Sequence, residues 1–199
     1  VLAQVSADIK SGRFTAILGP NGAGKSTLLS LLTGQRAALG GQLLLDDRPL
    51  RQFPAAELAV RRAVMMQESA VAFDFLAREV VELGRFPHRL RPSRDEAGIV
   101  ASALDATHVA HLAGRNVNTL SGGEKARVQL ARALAQVWDA PANGADRWLL
   151  LDEPTVGLDP IATQDLYQLI DRLRQQGTSI ILCSHVLPGV EAHINRAAI

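Results

Sequence analysis

The sequence predicts an α/β fold built on a parallel sheet, with a helical segment inserted into it, and three observations carry that expectation. Three runs, Phe14 to Leu18, Trp148 to Leu151 and Thr178 to Cys183, read as buried strands, and each delivers glycine or polar residues to its C-terminal tip. The tip of the first is Gly19-Pro20-Asn21-Gly22-Ala23-Gly24-Lys25-Ser26-Thr27, which fits G-x-x-x-x-G-K-[ST] and leads into the helical leucine pattern Leu28 to Leu32. Between about Ala70 and Gln136 the pattern turns helical without convincing strands.

With 199 residues, 47% of them hydrophobic and 21% charged, the chain is long enough for one substantial core and short for two. The formal net charge of +1 supplies no overall pull toward nucleic acid or anionic lipid. Cys183 is the single cysteine, which rules out a disulfide framework or a cysteine metal cluster and suits a reducing compartment. The longest apolar runs fall far short of the ~20 residues that span a bilayer, and the N-terminus does not read as a signal peptide. Because the chain begins at Val1 and stops at Ile199 without a terminating signal, both ends read as trimmed.

In order, Val1 to Lys10 alternates loosely and reads as a strand, Ser11-Gly12 turns, and Phe14 to Leu18 feeds the glycine-rich loop. In that loop successive backbone N–H groups can turn around a phosphate chain at the positive end of the following helix. Lys25 then reaches the outer phosphates and Ser26 places its hydroxyl on Mg²⁺. Gly34 and Gly40-Gly41 punctuate, 42–45 reads as a short strand, and 54–62 reads as a helix with Pro54 in its first turn. The strand over 63–66 delivers Gln67 to its end. Within the insert, 76–83 has a helical period. The stretch Arg85-Phe86-Pro87-His88-Arg89-Leu90-Arg91-Pro92-Ser93-Arg94 reads as a solvated or partner-facing loop in preference to a phosphate or nucleic-acid contact, since only Phe86 is aromatic. Ser93 with Glu96 has capping-box spacing for the helix that follows. His108 and His111 share a helical spacing, but without a third ligand they read as structural or exposed.

A second chemical centre is Leu120-Ser121-Gly122-Gly123-Glu124, ahead of the helical run 125–136. Ser121 and Glu124 form a capping box, and two glycines in a first helical turn cost stability that a plain helix start has no reason to spend. Exposed N–H groups, a hydroxyl and no Cβ make this a second anion site. The 140–146 stretch breaks the helix, and the 148–151 strand ends in Asp152-Glu153, where α/β sheets present catalytic groups. Asp152 suits the Mg²⁺ sphere, and Glu153 suits the base that polarises an attacking water. Asp159-Pro160 caps a helix whose Leu166, Leu169, Ile170 and Leu173 line one face, and Gly177 ends it. The last strand brings Ser184-His185 to its tip. A lone His is usually structural, but this position at the phosphate-bearing edge favours a γ-phosphate contact.

Together these motifs resemble the nucleotide-binding subunit of ATP-binding cassette (ABC) transporters over essentially the whole chain. Residues 19–27 match the Walker A loop, Gln67 the Q-loop, 120–124 the LSGGE-type signature, 149–153 the Walker B strand with its glutamate, Leu158-Asp159 the D-loop and His185 the switch histidine. The resemblance implies a P-loop NTPase (RecA-like) core over about 1–69 and 137–199, with an antiparallel β subdomain, and a helical subdomain over about 70–136. It implies an ATPase using ATP and Mg²⁺, with Glu153, His185 and Gln67 catalytic and Ser26, Gln67 and Asp152 at the metal. It further implies a head-to-tail homodimer in which Lys25 and Ser26 of one subunit and Ser121, Gly122 and Gly123 of the other sandwich each ATP, with residues 19–27 and Asp159 among those that bind the nucleotide. Membrane permease subunits, an indirect periplasmic substrate-binding protein, no nucleic acid, and a peripheral place on the cytoplasmic face of a bacterial inner membrane complete the expectation. The run Val80 to His88, the stretch 94–111 and the 140–147 spacer are similar to importers of iron chelates, cobalamin and haem, nearest the haemin-import ATPases. A ferric-siderophore or cobalamin importer is the alternative. A non-transport relative needs a coiled-coil insertion or second cassette that 199 residues do not hold, and the intact polar positions argue against an inactive module. The family's adenine-stacking aromatic normally precedes the first strand, where no residue before Val1 is available to supply it, and Val186 stands where the family often has an acidic residue.

Overall fold

A computed structural model describes residues 5–66, 74–139, 144–185 and 196–198. Its centre is a five-stranded, wholly parallel sheet in the order β4-β5-β6-β1-β7. The strands are β1 (Phe14–Leu18), β4 (Arg62–Met65), β5 (Arg147–Asp152), β6 (Thr178–Ser184) and β7 (Arg196–Ala198). Helices on both faces explain why β1, β5 and β6 are near-continuous apolar runs: both sides of each strand are buried. Alternate residues supply the two cores. Ala16, Leu149, Leu151, Ile180 and Leu182 join the larger one, and Ile17, Trp148, Leu150, Ile181 and Cys183 join Leu29 of α1 (Lys25–Leu32) in the smaller.

Parallel pairing puts every C-terminal tip on one edge. The register opposes Leu18 to Ser184 and Asp152 to Cys183, so the residues after β1, β5 and β6 converge there. On the larger core, α6 (Pro160–Gln175) turns Leu166, Leu169 and Ile170 inward; Asp159 caps its start by accepting from the Ile161 and Ala162 N–H groups, and Gly177 leaves it at φ 84°. Leu173 packs there partly buried. The 15-residue α5 (Gly122–Gln136) lies against α3 (Ala77–Leu83), α4 (Glu96–Ala106) and β4.

Several local expectations change. Residues 5–10 form no strand. The strand expected over 42–45 is only β2 (Leu44–Leu45), paired antiparallel with β3 (Arg48–Pro49) through Asp46 and Asp47 at φ 52° and 59°. That hairpin is the antiparallel pairing of named strands among the described residues. Pro54 precedes α2 (Ala55–Arg61) as its N-cap instead of lying in its first turn. Ser93 does not cap α4: Asp95 does, accepting from the Gly98 N–H at 2.8 Å. The Ser93 N–H still donates to Glu96 at 2.7 Å, but its hydroxyl is drawn to Asp139 and Arg85. β7, beside β1, had no counterpart in the sequence pattern.

Candidate functional site

Where β1 ends, the Gly19 N–H donates to the Ser184 carbonyl at 3.3 Å, tying the glycine-rich loop to the tip of β6. Gly22 and Gly24 stand at φ 82° and 93°, a region that a Cβ disfavours, and this lets the loop coil tightly before α1. Gly24 is the N-cap and offers no side-chain bond, so the first N–H groups of α1 face outward at its positive end. Lys25 is folded back into the loop and buried. Its Nζ donates to the Gly19 carbonyl at 2.9 Å and the Pro20 carbonyl at 3.2 Å, and lies 3.4 Å from Glu153 Oε1. Pro20, Asn21, Gly22, Ala23, Ser26 and Thr27 are exposed around it.

The two carboxylates at the tip of β5 have separate partners. Asp152, 2% exposed, is hydrogen-bonded by the Ser26 side chain, while its Oδ1 is buried with no hydrogen-bond partner. Burial, chiefly, pushes its pKa above the usual carboxylate range; neighbouring Glu153 adds to this, and Ser26 and Lys25 oppose it. A buried oxygen without a partner, beside a hydroxyl, fits a small hard cation that takes one carboxylate and one hydroxyl from protein and the rest from phosphate and water. Among the described residues no group of three or more His, Cys, Asp or Glu is placed to hold a metal ion.

Glu153 is held at φ 48°, a strained conformation for a residue with a Cβ, and its N–H is fixed on the Cys183 carbonyl at 3.0 Å. Its Oε1 faces Lys25, and its Oε2 accepts from His185 Nδ1 at 2.9 Å and from the His185 backbone N–H at 3.3 Å. Lys25, Glu153 and His185, far apart in sequence, thus form one cluster over the sheet edge. The groups beneath are kept neutral: burial, with the Glu153 charge, pushes Tyr167 up to about 12, and burial, with Asp152, pushes Cys183 to about 12.

Ser121, Gly122 and Gly123 lie at the exposed start of α5. The capping box is present: the Ser121 hydroxyl accepts from the Glu124 N–H at 3.3 Å, and the Glu124 carboxylate accepts from the Ser121 N–H at 2.7 Å, which holds that carboxyl below its usual pKa. The first turn therefore keeps its remaining N–H groups turned outward without a Cβ at Gly122. Gly123 approaches Gly157 and Leu158, just before Asp159; a Cβ on it would lie 3.1 Å from the Gly157 carbonyl. The Asp159 carboxylate is engaged by α6, chiefly by the Ala162 N–H, and its pKa is lowered. Gln67 lies outside the described residues. Arg85 and His88 bond the last turn of α5, and Arg147 bonds the residues after it, contacts that no local pattern announces: the signal, a cation opposite a helix C-terminus, spans 50 residues from Arg85 to Ala135.

The family model described as ABC transporter matches residues 2–156. A protein of Pseudomonas fluorescens described as hemin import ATP-binding protein HmuV is 47% identical across 94% of this chain and 72% of its own length. A protein of the same description from Myxococcus xanthus is 44% identical across 100% of this chain and 74% of its own. Among solved structures, cbiO1 from Clostridium perfringens, part of the ABC transporter complex cbiONQ, has a TM-score of 0.79 at 29% identity, covering 97% of this chain and 75% of that one. A nucleotide-free ATP-binding cassette of an ABC transporter shares the fold at a TM-score of 0.79 and 23% identity, covering 96% of this chain and 78% of its own.

Proposed function

Because this chain belongs to the ABC transporter family, we propose that it is the ATP-hydrolysing subunit of an importer whose cargo is haemin, coupling ATP-driven closure of a dimer to movement of a membrane permease. The single observation that carries the catalytic part is Glu153, held between Lys25 and His185 at the sheet edge beside the phosphate loop. Similarity to the hemin import proteins supports the cargo.

Backbone N–H groups of residues 19–27 cradle the phosphates, and Lys25 exchanges its loop carbonyls and Glu153 for the outer phosphate oxygens. Ser26 and Asp152, with Gln67, would hold Mg²⁺, which when bound neutralises charge developing on the phosphates. Glu153 takes a proton from a water whose oxygen bonds to the γ-phosphorus as the bond to the bridging β–γ oxygen breaks, releasing ADP and phosphate. His185, already bonded to Glu153, orients that carboxylate and contacts the γ-phosphate. Ser121, Gly122, Gly123 and Asp159 of a second copy complete the site, so that hydrolysis removes contacts holding the two copies together. In this reading, about 1–69 and 137–199 form the ATP-binding core and about 70–136 a helical subdomain. The subunit sits peripherally on the cytoplasmic face of the membrane, and a substrate-binding protein acts only through the permease. No helix among the described residues is long and apolar enough to cross a membrane.

Two measurements test this. E153Q retains ATP binding, accumulates an ATP-bound dimer and loses turnover by about 10²–10⁴-fold; unchanged hydrolysis removes Glu153 from its role. Reconstituted with its permease in liposomes, the wild type is stimulated by haemin and its binding protein. Stimulation only by a ferric siderophore complex or a cobalamin overturns the cargo assignment.

A further inference from the structure

We propose that Arg85, with His88, is a positioning residue for the nucleotide-facing tip of α5: the two side chains close the C-terminal end of that helix and so fix where Ser121, Gly122 and Gly123 stand at its other end. The inference rests on the reading that this tip completes the ATP site of a second subunit.

The last carbonyls of a helix have no intrahelical partner, and they carry its negative end charge. Here side chains satisfy the end of α5 and the two residues after it. The Ala135 carbonyl accepts from Arg85 Nη1 at 2.6 Å, and the Gln136 carbonyl from His88 Nε2 at 2.8 Å. Those of Val137 and Trp138 accept from Arg147 at 3.3 and 2.7 Å. Gln136 in turn sends its side-chain amide to the carbonyls of Ala59 and Arg62 at 2.8 and 3.0 Å.

Arg85 does more than cap. It is 7% exposed, and its remaining donors reach Glu96 at 2.7 and 2.9 Å, Asp139 at 2.9 Å and the Ser93 hydroxyl at 3.1 Å. One planar fork therefore ties the end of α3, the first residue of α4, the last turn of α5 and the residue where the chain leaves toward β5. A lysine, with a point charge and no fork, cannot hold these directions together. Gly84 beside it lets the α5 backbone come close: a Cβ there would lie 2.2 Å from the Arg132 carbonyl.

The helix transmits this constraint. A 15-residue helix is about 22 Å long, so a tilt of about 3° at its closed end shifts the opposite tip by about 1 Å. A misplacement of about 1 Å at a reacting centre costs about a hundredfold in rate. The bonds of Arg85 go to Glu96, Ala135, Ser93 and Asp139 and none to residues 19–27, so loosening it moves the tip offered to the partner and spares nucleotide binding by the isolated subunit.

The test uses the full chain with R85K, H88Q and H88L. ATP affinity is measured on dilute subunit, kcat and KM by phosphate release, ATP-driven dimerisation by ultracentrifugation in the E153Q background, and folding by urea titration. Folded R85K is expected to keep subunit ATP affinity within about twofold, to lose about a hundredfold in kcat and to weaken the ATP-bound dimer by about tenfold or more. H88Q, which retains a donor for the Gln136 carbonyl, stays near wild type, and H88L shifts in the direction of R85K. A folded R85K with unchanged kcat and dimerisation overturns the proposal, as does an equal loss of ATP affinity and kcat. Should R85K fail to fold, the contrast between H88Q and H88L decides by the same criteria. A wild type that binds no ATP, or an E153Q that forms no ATP-bound dimer, refutes the functional reading instead.

Discussion

Adding one methyl group at Gly84 tests the packing that carries α5. Gly84 has helical angles, φ −60° and ψ −26°, so on conformational grounds alone alanine would stabilise by up to about 1 kcal/mol. Contact reverses the sign. The new Cβ would stand 2.2 Å from the Arg132 carbonyl oxygen and 3.0 Å from that of Val81, against a normal carbon–oxygen approach of about 3.3 Å. The Arg132 carbonyl is backbone and cannot rotate away, so α3 and α5 must part by about 1 Å within the core that also holds Val80, Val81, Val128 and Ala131. Overpacking of this kind costs about 1–3 kcal/mol or more, and the net expectation for G84A is a loss of about 2 kcal/mol. In a domain of this size that lowers the melting midpoint by about 4–8 °C. Urea unfolding and thermal melts of G84A read both quantities. A variant as stable as wild type, or more stable, would refute the close approach of the two helices.

The Glu96 carboxyl, hydrogen-bonded by Arg85, has its pKa lowered from 4.5 to about 2. A carboxylate depressed on folding adds stability above pH 4.5 that is lost as pH falls toward 2. The shift converts to about 3 kcal/mol, and because Glu96 is 33% exposed we expect solvent screening to leave about 1–2 kcal/mol. E96Q should therefore be less stable than wild type near neutrality and indistinguishable from it near pH 2 in urea titrations; a gap that persists in acid contradicts the ion pair. Asp152 has the opposite sign, since its pKa is raised mainly by burial. D152N should match or exceed wild-type stability near neutrality while losing Mg²⁺-dependent phosphate release by about a hundredfold or more, and an unstable D152N would contradict the unpartnered oxygen. At Gly123 a side chain meets the Gly157 carbonyl and Leu158. G123V should cut hydrolysis by about tenfold or more at a stability cost of about 1 kcal/mol, and full activity would exclude close approach at this tip.

Much of the site was legible because its determinants are local. The glycines before Lys25, the box of Ser121 with Glu124 and the Asp159 cap each lie within a few residues, and β1, β5 and β6 announce themselves by burial on both faces. Local rules failed where a distant group outcompeted a near one. Ser93 has the spacing of a cap, yet its hydroxyl turns to Asp139, 46 residues on, and the basic stretch beginning at Arg85 reads as a solvated or partner-facing loop although Arg85 itself is buried against the end of α5. β7 is three residues long and has no periodicity to read.

The linear pattern was enough to single out the candidate groups, namely the glycine-rich loop before Lys25, Asp152 and Glu153 after a buried strand, and the Ser121-Gly122-Gly123 helix start, in their order along the chain. Only the tertiary structure decided how they are joined. Lys25 reaches Glu153, and Glu153 reaches His185, because parallel strands distant in sequence end on one edge, and Arg85 and His88 reach the Ala135 and Gln136 carbonyls because α5 packs against the end of α3. Hydrogen bonds and ion pairs act over about 3 Å in space whatever the separation in chain, so the partner of a buried charge is set by sheet register and helix packing, which a linear pattern does not contain.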